Sequence, residues 1–118
     1  MIRIELPFPP TVNNLFKNAG KSRVKTLGYK QWLQLASYGI KDSHRRNLGP
    51  YHISIALKRP DMRRRDIGNL EKAVSDLMVM NGVVKDDSLC ERLVMTWDNG
   101  INADCVVIVQ EANEGLAA

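Results

Sequence analysis

Three carboxylates and one amine lie at positions from which they could act together on a phosphodiester. Asp66 precedes a predicted helix, Lys72 lies within that helix, and Asp86 and Asp87 follow it in the segment KDDS. Mg²⁺ prefers oxygen ligands and keeps several waters, so it needs few protein carboxylates in addition to phosphate oxygens. Lys72 could stabilise the transition state or orient the attacking water. These residue types therefore predict metal-dependent phosphodiester hydrolysis.

The same residues also have structural interpretations. Asp66 could be a helix cap alone, because aspartate commonly accepts hydrogen bonds from the free amides of a helix N-terminus. Lys72 and Asp76 are one turn apart and could form an ion pair worth a few tenths of a kcal/mol. Turn chemistry explains adjacent aspartates such as Asp86 and Asp87 about as well as a bound cation does. Sequence spacing does not decide whether the two acidic elements meet.

Positive charge is concentrated in the first half of the chain. Residues 1–65 contain 14 lysines and arginines against 3 acidic residues, whereas residues 66–118 contain 3 against 10. A basic half suits phosphate binding, which releases counterions and weakens with salt. An acidic half suits a divalent cation. The alternative is a solvated surface whose charges are uneven by chance.

Hydrophobic periodicity predicts the elements that position these residues. Alternating apolar residues predict a strand over 2–6, which the prolines of LPFPP must end. Residues 11–26 are basic and aperiodic, so they are predicted to form a loop that could be mobile. Apolar residues at helical spacing predict a helix over 27–46 that ends at Asn47, Gly49 and Pro50. Clean alternation predicts a second strand over 51–57.

A second helix is predicted from Ile67 to a left-handed stop at Asn81-Gly82. Two strands follow, at 89–97 and 105–109, and the tail 112–118 is expected to fray. The order strand, helix, strand, helix, strand, strand predicts one α+β domain. It would have two main helices and a mixed or antiparallel sheet of four or more strands.

The second helix is predicted to sort its residues by face. At about 100° per residue, Asn69, Lys72 and Asp76 fall together, opposite an apolar stripe that includes Leu70 and Val74. One face would therefore pack inward while the other presents an amide, an ammonium and a carboxylate beside Asp66.

Composition excludes several classes of protein. No apolar run reaches the roughly 20 residues of a membrane span, and the N-terminus lacks the order of a signal peptide, so we expect a soluble intracellular protein without a membrane partner. Cys90 and Cys105 fit neither a metal site nor a disulfide framework and are expected to be reduced core residues. His44 and His52 are expected to be a helix-end cap and a strand residue rather than a catalytic base, and Ser, His and Asp form no ordered triad.

Three segments together resemble the RusA family of Holliday junction resolvases: LPFPPTVNN, RRRDIGNLEKAVSDL and GVVKDDSL. The likeness covers most of the chain. It implies a homodimer that binds a four-way DNA junction and makes paired, symmetric nicks during recombination and repair. A twofold-related pair of scissile bonds needs two sites related in the same way. The expected setting is the cytoplasm of a bacterium or of a phage-infected host cell.

The resemblance also assigns roles to residues. Asp66, Lys72 and Asp87 match catalytic positions, and Asp66, Asp87 and Asp86 are the expected ligands of Mg²⁺, for which Mn²⁺ could substitute. The expected DNA contacts come from the N-terminal segment, the arginine-rich loop and the second helix: Asn13, Asn14, Lys17, Lys21, Arg23, Lys58, Arg59, Arg63, Arg64, Arg65 and Asn69.

One residue departs from the family pattern. The motif usually reads Asp-x-Asp-Asn, whereas this chain has Gly68 at the second acidic position. Glu71, Asp86 or additional waters could replace the lost carboxylate, although the helical angle of Glu71 lies near the apolar stripe and about 100° from Lys72. Alternatively, the protein binds branched DNA without cleaving it. A third hypothesis is a basic α+β adaptor whose charge segregation selects a protein partner.

Overall fold

A four-stranded mixed sheet carries the fold, and a separate two-stranded hairpin lies outside it. The computed structural model describes residues 1–113. The strands are β1 (Ile2–Leu6), β2 (Phe16–Ala19), β3 (Ser22–Lys25), β4 (Tyr51–Leu57), β5 (Cys90–Trp97) and β6 (Cys105–Glu111). The α-helices are α1 (Leu27–Ser37) and α2 (Glu71–Met80). Short 3₁₀ helices occupy Val12–Asn14, Asp42–His44, Ile67–Leu70 and Asp87–Leu89.

The main sheet has the strand order β1-β6-β4-β5. β6 pairs antiparallel with both β1 and β4, and β4 pairs parallel with β5. Residues of β1 and β4 alternate between buried and more exposed positions, as their hydrophobic alternation predicts. The predicted α+β class and the mixed four-stranded sheet with two main helices are therefore confirmed.

The parallel pairing of β4 with β5 places the basic loop and the second acidic segment at opposite ends of these two strands. Leu57 pairs with Trp97 at one end of β4, and Tyr51 pairs with Cys90 at the other. Since β4 has seven residues, its two ends are roughly 20 Å apart at 3.3 Å per residue. The chain leaves β4 at the Leu57 end and must return through 58–70 and α2 to the Tyr51 end, where β5 begins.

The first helix is shorter than predicted because the chain turns at Gly39. A Cβ built on Gly39 would lie 2.8 Å from the backbone oxygen of Glu5, so the backbone passes too close to β1 for any other residue. The predicted helix over 27–46 was therefore wrong beyond Ser37. Asn47, expected to stop the helix, instead has φ 52° and donates its amide to Gly82 O at 2.8 Å.

Residues 11–26 contain a hairpin where the sequence predicts a loop. β2 and β3 pair in register from Phe16 with Lys25 to Ala19 with Ser22, and Gly20 takes φ +64° in the turn, where glycine carries no Cβ penalty. Seven of the eight strand residues are exposed, so no hydrophobic alternation marks the strands in the sequence. This part of the loop prediction was wrong.

The remaining structural predictions concern single residues and the C-terminus. Cys105 is buried, Cys90 is half-buried, and both thiols are free. His44 accepts a hydrogen bond from the Lys41 amide at Nδ1, and His52 lies within β4. Ala112 is buried and donates its amide to Pro50 O at 3.0 Å, so folded chain extends at least to this residue. Residues 114–118 of the predicted frayed tail lie outside the described part of the chain.

Candidate active site

Asp66 begins the helical segment, but not as part of the α-helix. It caps the 3₁₀ helix Ile67–Leu70, with Oδ1 accepting from the Gly68 amide at 3.1 Å. α2 starts only at Glu71. Because Asn69 lies in the 3₁₀ segment, its side-chain direction does not follow the 100° step of an α-helix. The predicted common face of Asn69 with Lys72 and Asp76 was therefore argued from the wrong helix geometry.

Lys72 lies between Asp76 of its own helix and Asp87 of the second acidic element. Its Nζ lies 3.0 Å from Asp76 Oδ1, one turn along α2, and 3.8 Å from Asp87 Oδ2, in the turn that follows the helix. The hydrogen bond to Asp76 raises the pKa of Lys72, and the charges of Asp87 and Glu71 add to the rise. Lys72 is therefore a cation held among carboxylates. The predicted ion pair with Asp76 is confirmed.

Asp76 is held from the opposite side by α1. The hydroxyl of Tyr29 donates to Asp76 Oδ2 at 2.9 Å, and Tyr29 itself is fully buried. Burial, followed by the Asp76 carboxylate, raises the pKa of Tyr29, so the hydroxyl keeps its proton and acts as a donor. The sequence places Tyr29 only in the core. Its one available signal is that a buried tyrosine hydroxyl usually has a partner.

The adjacent aspartates of KDDS differ in their local roles. Asp86 caps the 3₁₀ helix Asp87–Leu89, and its Oδ2 accepts from both the hydroxyl and the amide of Ser88. The Ser88 hydroxyl and then the Ser88 amide lower the pKa of Asp86. Asp87 is exposed and faces Lys72. One aspartate is thus committed to the turn, while the other is presented to the site.

Glu71 lies beside Asp87, which the sequence does not indicate. The two residues line one small pocket of about 130 Å³ together with Ser75, Cys90 and Leu93. The Ser75 hydroxyl donates to Glu71 Oε2. Glu71 is half-buried, as expected of a residue near the apolar stripe, but that edge of α2 faces the second acidic segment rather than the core.

Asp86, Asp87 and Glu71 lie near the Tyr51 end of β4. Burial raises the pKa of Tyr51, and the charges of Cys90, Asp87, Glu71 and Asp86 raise it further, in that order. Tyr51 pairs with Cys90, which lines one pocket with Glu71 and Asp87, so these groups lie around the same end of β4.

The oxygen donors are chemically suited to a hard divalent cation. Asp66 and Asp87 are exposed, and Asp66 uses Oδ1 to cap its helix. Among residues 1–113, no group of three or more His, Cys, Asp or Glu side chains is arranged to hold a metal ion. Mg²⁺ can bind with one or two carboxylates plus waters and phosphate oxygens. The donor set therefore fits a site of that kind rather than a cage made wholly of protein.

The arginine-rich loop is organised by Asp61. Its Oδ2 lies 2.7 Å from Arg65 Nη2 and 4.0 Å from Arg63 Nε, and its Oδ1 accepts from the Arg63 amide. That amide, followed by the Arg65 side chain, lowers the pKa of Asp61. Arg63 and Arg64 are exposed, whereas Arg65 is half-buried.

Two aromatic rings fix both ends of this loop. The Arg59 guanidinium carbon lies 4.6 Å from the centroid of Trp97, and that of Arg65 lies 5.8 Å from the centroid of Phe8. The rings of Phe8 and Trp97 stack with centroids 6.4 Å apart and 10° between their planes. We call these four residues the aromatic clasp. Neither Phe8 nor Trp97 is marked as a site residue by the sequence, because the clasp joins segments far apart in the chain.

The other predicted DNA contacts are spread over neighbouring elements. Asn13 and Asn14 are exposed in the 3₁₀ helix Val12–Asn14, which packs against Ile67–Leu70 and α2. Lys17, Lys21 and Arg23 are exposed on the β2–β3 hairpin, and Lys58 is exposed just after β4.

Comparison with known proteins gives a family. A sequence profile described as "Endodeoxyribonuclease RusA" matches residues 7–110. The chain is 35% identical over 89 residues to the crossover junction endodeoxyribonuclease RusA of Escherichia coli strain K12, an alignment that covers 72% of each chain.

Relatives from a phage and from another bacterium give similar matches. The protein of that name from Enterobacteria phage 82 is 35% identical over 89 residues, again covering 72% of each chain. The one from Aquifex aeolicus is 31% identical over 87 residues, covering 72% of this chain and 68% of the relative. The family resemblance inferred from the three motifs is confirmed: this chain belongs to the RusA family of endodeoxyribonucleases.

Proposed function

We propose that this protein is a metal-dependent endonuclease that resolves Holliday junctions. The observation that carries the proposal is the position of Lys72, whose ammonium lies between a carboxylate of α2 and the exposed carboxylate of Asp87. The relatives are named crossover junction endodeoxyribonucleases, and the basic loop that precedes Asp66 supplies charge suited to a DNA backbone.

Asp66 and Asp87 are the proposed ligands of Mg²⁺, with Mn²⁺ as a substitute and Asp86 as a weaker candidate because its Oδ2 is engaged by Ser88. A bound divalent cation would supply a nucleophilic water and charge neutralisation at the phosphate. Lys72 would stabilise charge that develops on the phosphoryl oxygens, since a fixed ammonium is most effective when it is positioned before the reaction. Glu71 is the best placed replacement for the carboxylate missing at position 68, because it shares a pocket with Asp87.

The DNA is proposed to cross from the carboxylates near the Tyr51 end of β4 to the arginine-rich loop near its Leu57 end. The loop and the hairpin would contact phosphates, which position DNA without reading its sequence. The aromatic clasp divides the arginines into two groups. Arg59 and Arg65 are held against rings and would meet the DNA from fixed positions, whereas the exposed Arg63 and Arg64 would follow the backbone more freely.

The proposed working form is a homodimer in the cytoplasm of a bacterium or of a phage-infected cell. A junction has two equivalent scissile bonds, and a twofold dimer supplies two equivalent sites. Within residues 1–113, no helix is long and apolar enough to cross a bilayer.

The decisive experiment is cleavage of a synthetic four-way junction by purified protein with Mg²⁺ or Mn²⁺. Wild type is expected to make paired symmetric nicks, and Asp87→Asn to abolish nicking while it continues to bind the junction. Absence of cleavage with either metal would remove the endonuclease proposal.

A second candidate function follows from Gly68. Without the usual second carboxylate, the protein could bind and protect branched DNA with no cleavage. That function predicts tight, salt-sensitive junction binding that is indifferent to metal. Equal binding to linear duplex would instead favour an adaptor for a protein partner.

A further inference from the structure

We propose that Tyr29 and Asp76 are positioning residues that hold the Lys72 ammonium in place for strand cleavage, an inference that rests on the proposed function. We call this chain of contacts the tyrosine relay. It links a core residue of α1 to the amine of α2 that faces Asp87. Neither Tyr29 nor Asp76 is placed among ligands or DNA contacts.

The relay begins with a hydroxyl that is fixed by packing. Tyr29 is fully buried and packs edge-on against Phe16, with ring centroids 5.8 Å apart. Its hydroxyl donates to Asp76 Oδ2 at 2.9 Å. Because the ring cannot move without disturbing the core, the position of the hydroxyl is set by the fold rather than by the side chain alone.

Asp76 uses both of its oxygens within the relay. Oδ2 accepts from Tyr29, and Oδ1 lies 3.0 Å from Lys72 Nζ. A carboxylate held at both oxygens has a defined orientation, so it offers Lys72 an anchor at a fixed point. Asp76 is half-buried and bound at both oxygens, whereas Asp87 is exposed, which separates the role of Asp76 from that of Asp87.

Lys72 needs such an anchor. Its side chain is 44% exposed and has four rotatable bonds, and its contact with Asp87 is longer, at 3.8 Å. Lysine loses much rotamer freedom when it is held in one geometry. Without Asp76 in its present orientation, the ammonium would sample positions away from the phosphate. Misplacement of a catalytic group by about 1 Å can reduce a rate by about a hundredfold.

The test compares two interhelical hydrogen bonds. Tyr29→Phe removes only the hydroxyl of the relay. Ser37→Ala removes the acceptor of Asn81 Nδ2, at 3.2 Å, a side-chain hydrogen bond that joins the last residue of α1 to the C-cap of α2. Single-turnover cleavage and binding of a four-way junction are measured for both. We expect Tyr29→Phe to lower the cleavage rate constant by roughly tenfold with junction affinity unchanged, and Ser37→Ala to leave both at the wild-type value.

A double-mutant cycle tests whether Tyr29 acts through Lys72. In a Lys72→Met background, Tyr29→Phe should cause no further loss, since contacting residues in one network are not additive. Additive losses, or equal cleavage by Tyr29→Phe and Ser37→Ala, would overturn the relay. Asp76→Asn is the second relay variant if Tyr29→Phe does not fold, and it should lower the rate constant in the same way.

A readout without cleavage separates this inference from the proposed function. The NMR order parameter of the Lys72 Cε methylene reports how firmly the side chain is held. It should fall in Tyr29→Phe and not in Ser37→Ala. If wild type does not cleave a junction, the proposed function fails, and the order parameters alone then support or overturn the relay.

Discussion

The ammonium of Lys72 lies 3.8 Å from Asp87 Oδ2, although most of α2 and the turn after it separate the two residues in the chain. This contact brings the end of the acidic KDDS segment to the first turn of the helix that follows Asp66. Carboxylates and an amine therefore lie close together near the Tyr51 end of β4.

Restoring a carboxylate at position 68 should increase cleavage. A Cβ on Gly68 would meet only Asp66 Oδ1, at an ordinary 3.5 Å, so Gly68→Asp should fold without strain. We expect a faster junction cleavage rate in Mg²⁺, because a second acidic ligand strengthens metal binding. Gly68→Asn is the control, since it adds nearly the same volume without the charge. Equal rates for the two variants would show that the missing carboxylate is not limiting.

Neutralising Glu71 should weaken the response to metal. Glu71 shares a pocket with Asp87, so Glu71→Gln is expected to raise the Mn²⁺ concentration needed for half-maximal cleavage by about tenfold, as changes near metal sites commonly do. Glu91→Gln, on the exposed surface of β5, serves as a matched control and should respond like wild type. An unchanged Mn²⁺ titration in Glu71→Gln would remove Glu71 as the replacement ligand.

Loss of the Trp97 ring should weaken DNA binding through Arg59. The two groups are 4.6 Å apart, a geometry worth about 0.5–1 kcal/mol at an exposed site. Trp97→Ala should therefore lower affinity for a four-way junction by about two- to fivefold, measured by fluorescence anisotropy. Trp97→Phe retains a ring and should recover most of the affinity. Arg64→Ala should instead reduce the salt dependence of binding, as expected for loss of one phosphate contact.

Gly39 should be intolerant of a side chain for a steric reason. Gly39→Ala places a Cβ 2.8 Å from the Glu5 backbone oxygen, and overpacking of this kind typically reduces the free energy of unfolding by about 1–3 kcal/mol. Gly49→Ala is the matched control, because its Cβ would meet nothing within 4 Å. Urea denaturation should show a lower midpoint for the first variant and an equal or higher one for the second.

The two thiols should differ in reactivity. Burial raises the pKa of Cys105 to about 12, so near pH 8 almost none of it is the nucleophilic thiolate. Cys90 is half-buried, and its pKa is raised chiefly by burial too. Iodoacetamide followed by peptide mass spectrometry should label Cys90 first, with Cys105 labelled only after unfolding. Early labelling of Cys105 would contradict its place in the core.

The residue types of the site, the alternating strands and the apolar stripe of α2 could all be predicted from the sequence. Each of these signals is local, since periodicity and motif spacing act over a few residues. Three sequence motifs also indicated the family, and the family profile that matches residues 7–110 confirms it. The chemistry of exposed carboxylates and arginines could be predicted because it depends on which side chains are present.

Which of these residues meet depends on how the helices and strands pack. The turn at Gly39, just after α1, depends on the approach of β1, and the β2–β3 hairpin has no buried face that would mark it. The contacts of Tyr29 with Asp76 and of Phe8 with Trp97 join distant segments, and the shared pocket of Glu71 and Asp87 depends on how α2 returns over the sheet. Such contacts arise from the packing of whole elements, which no local pattern encodes.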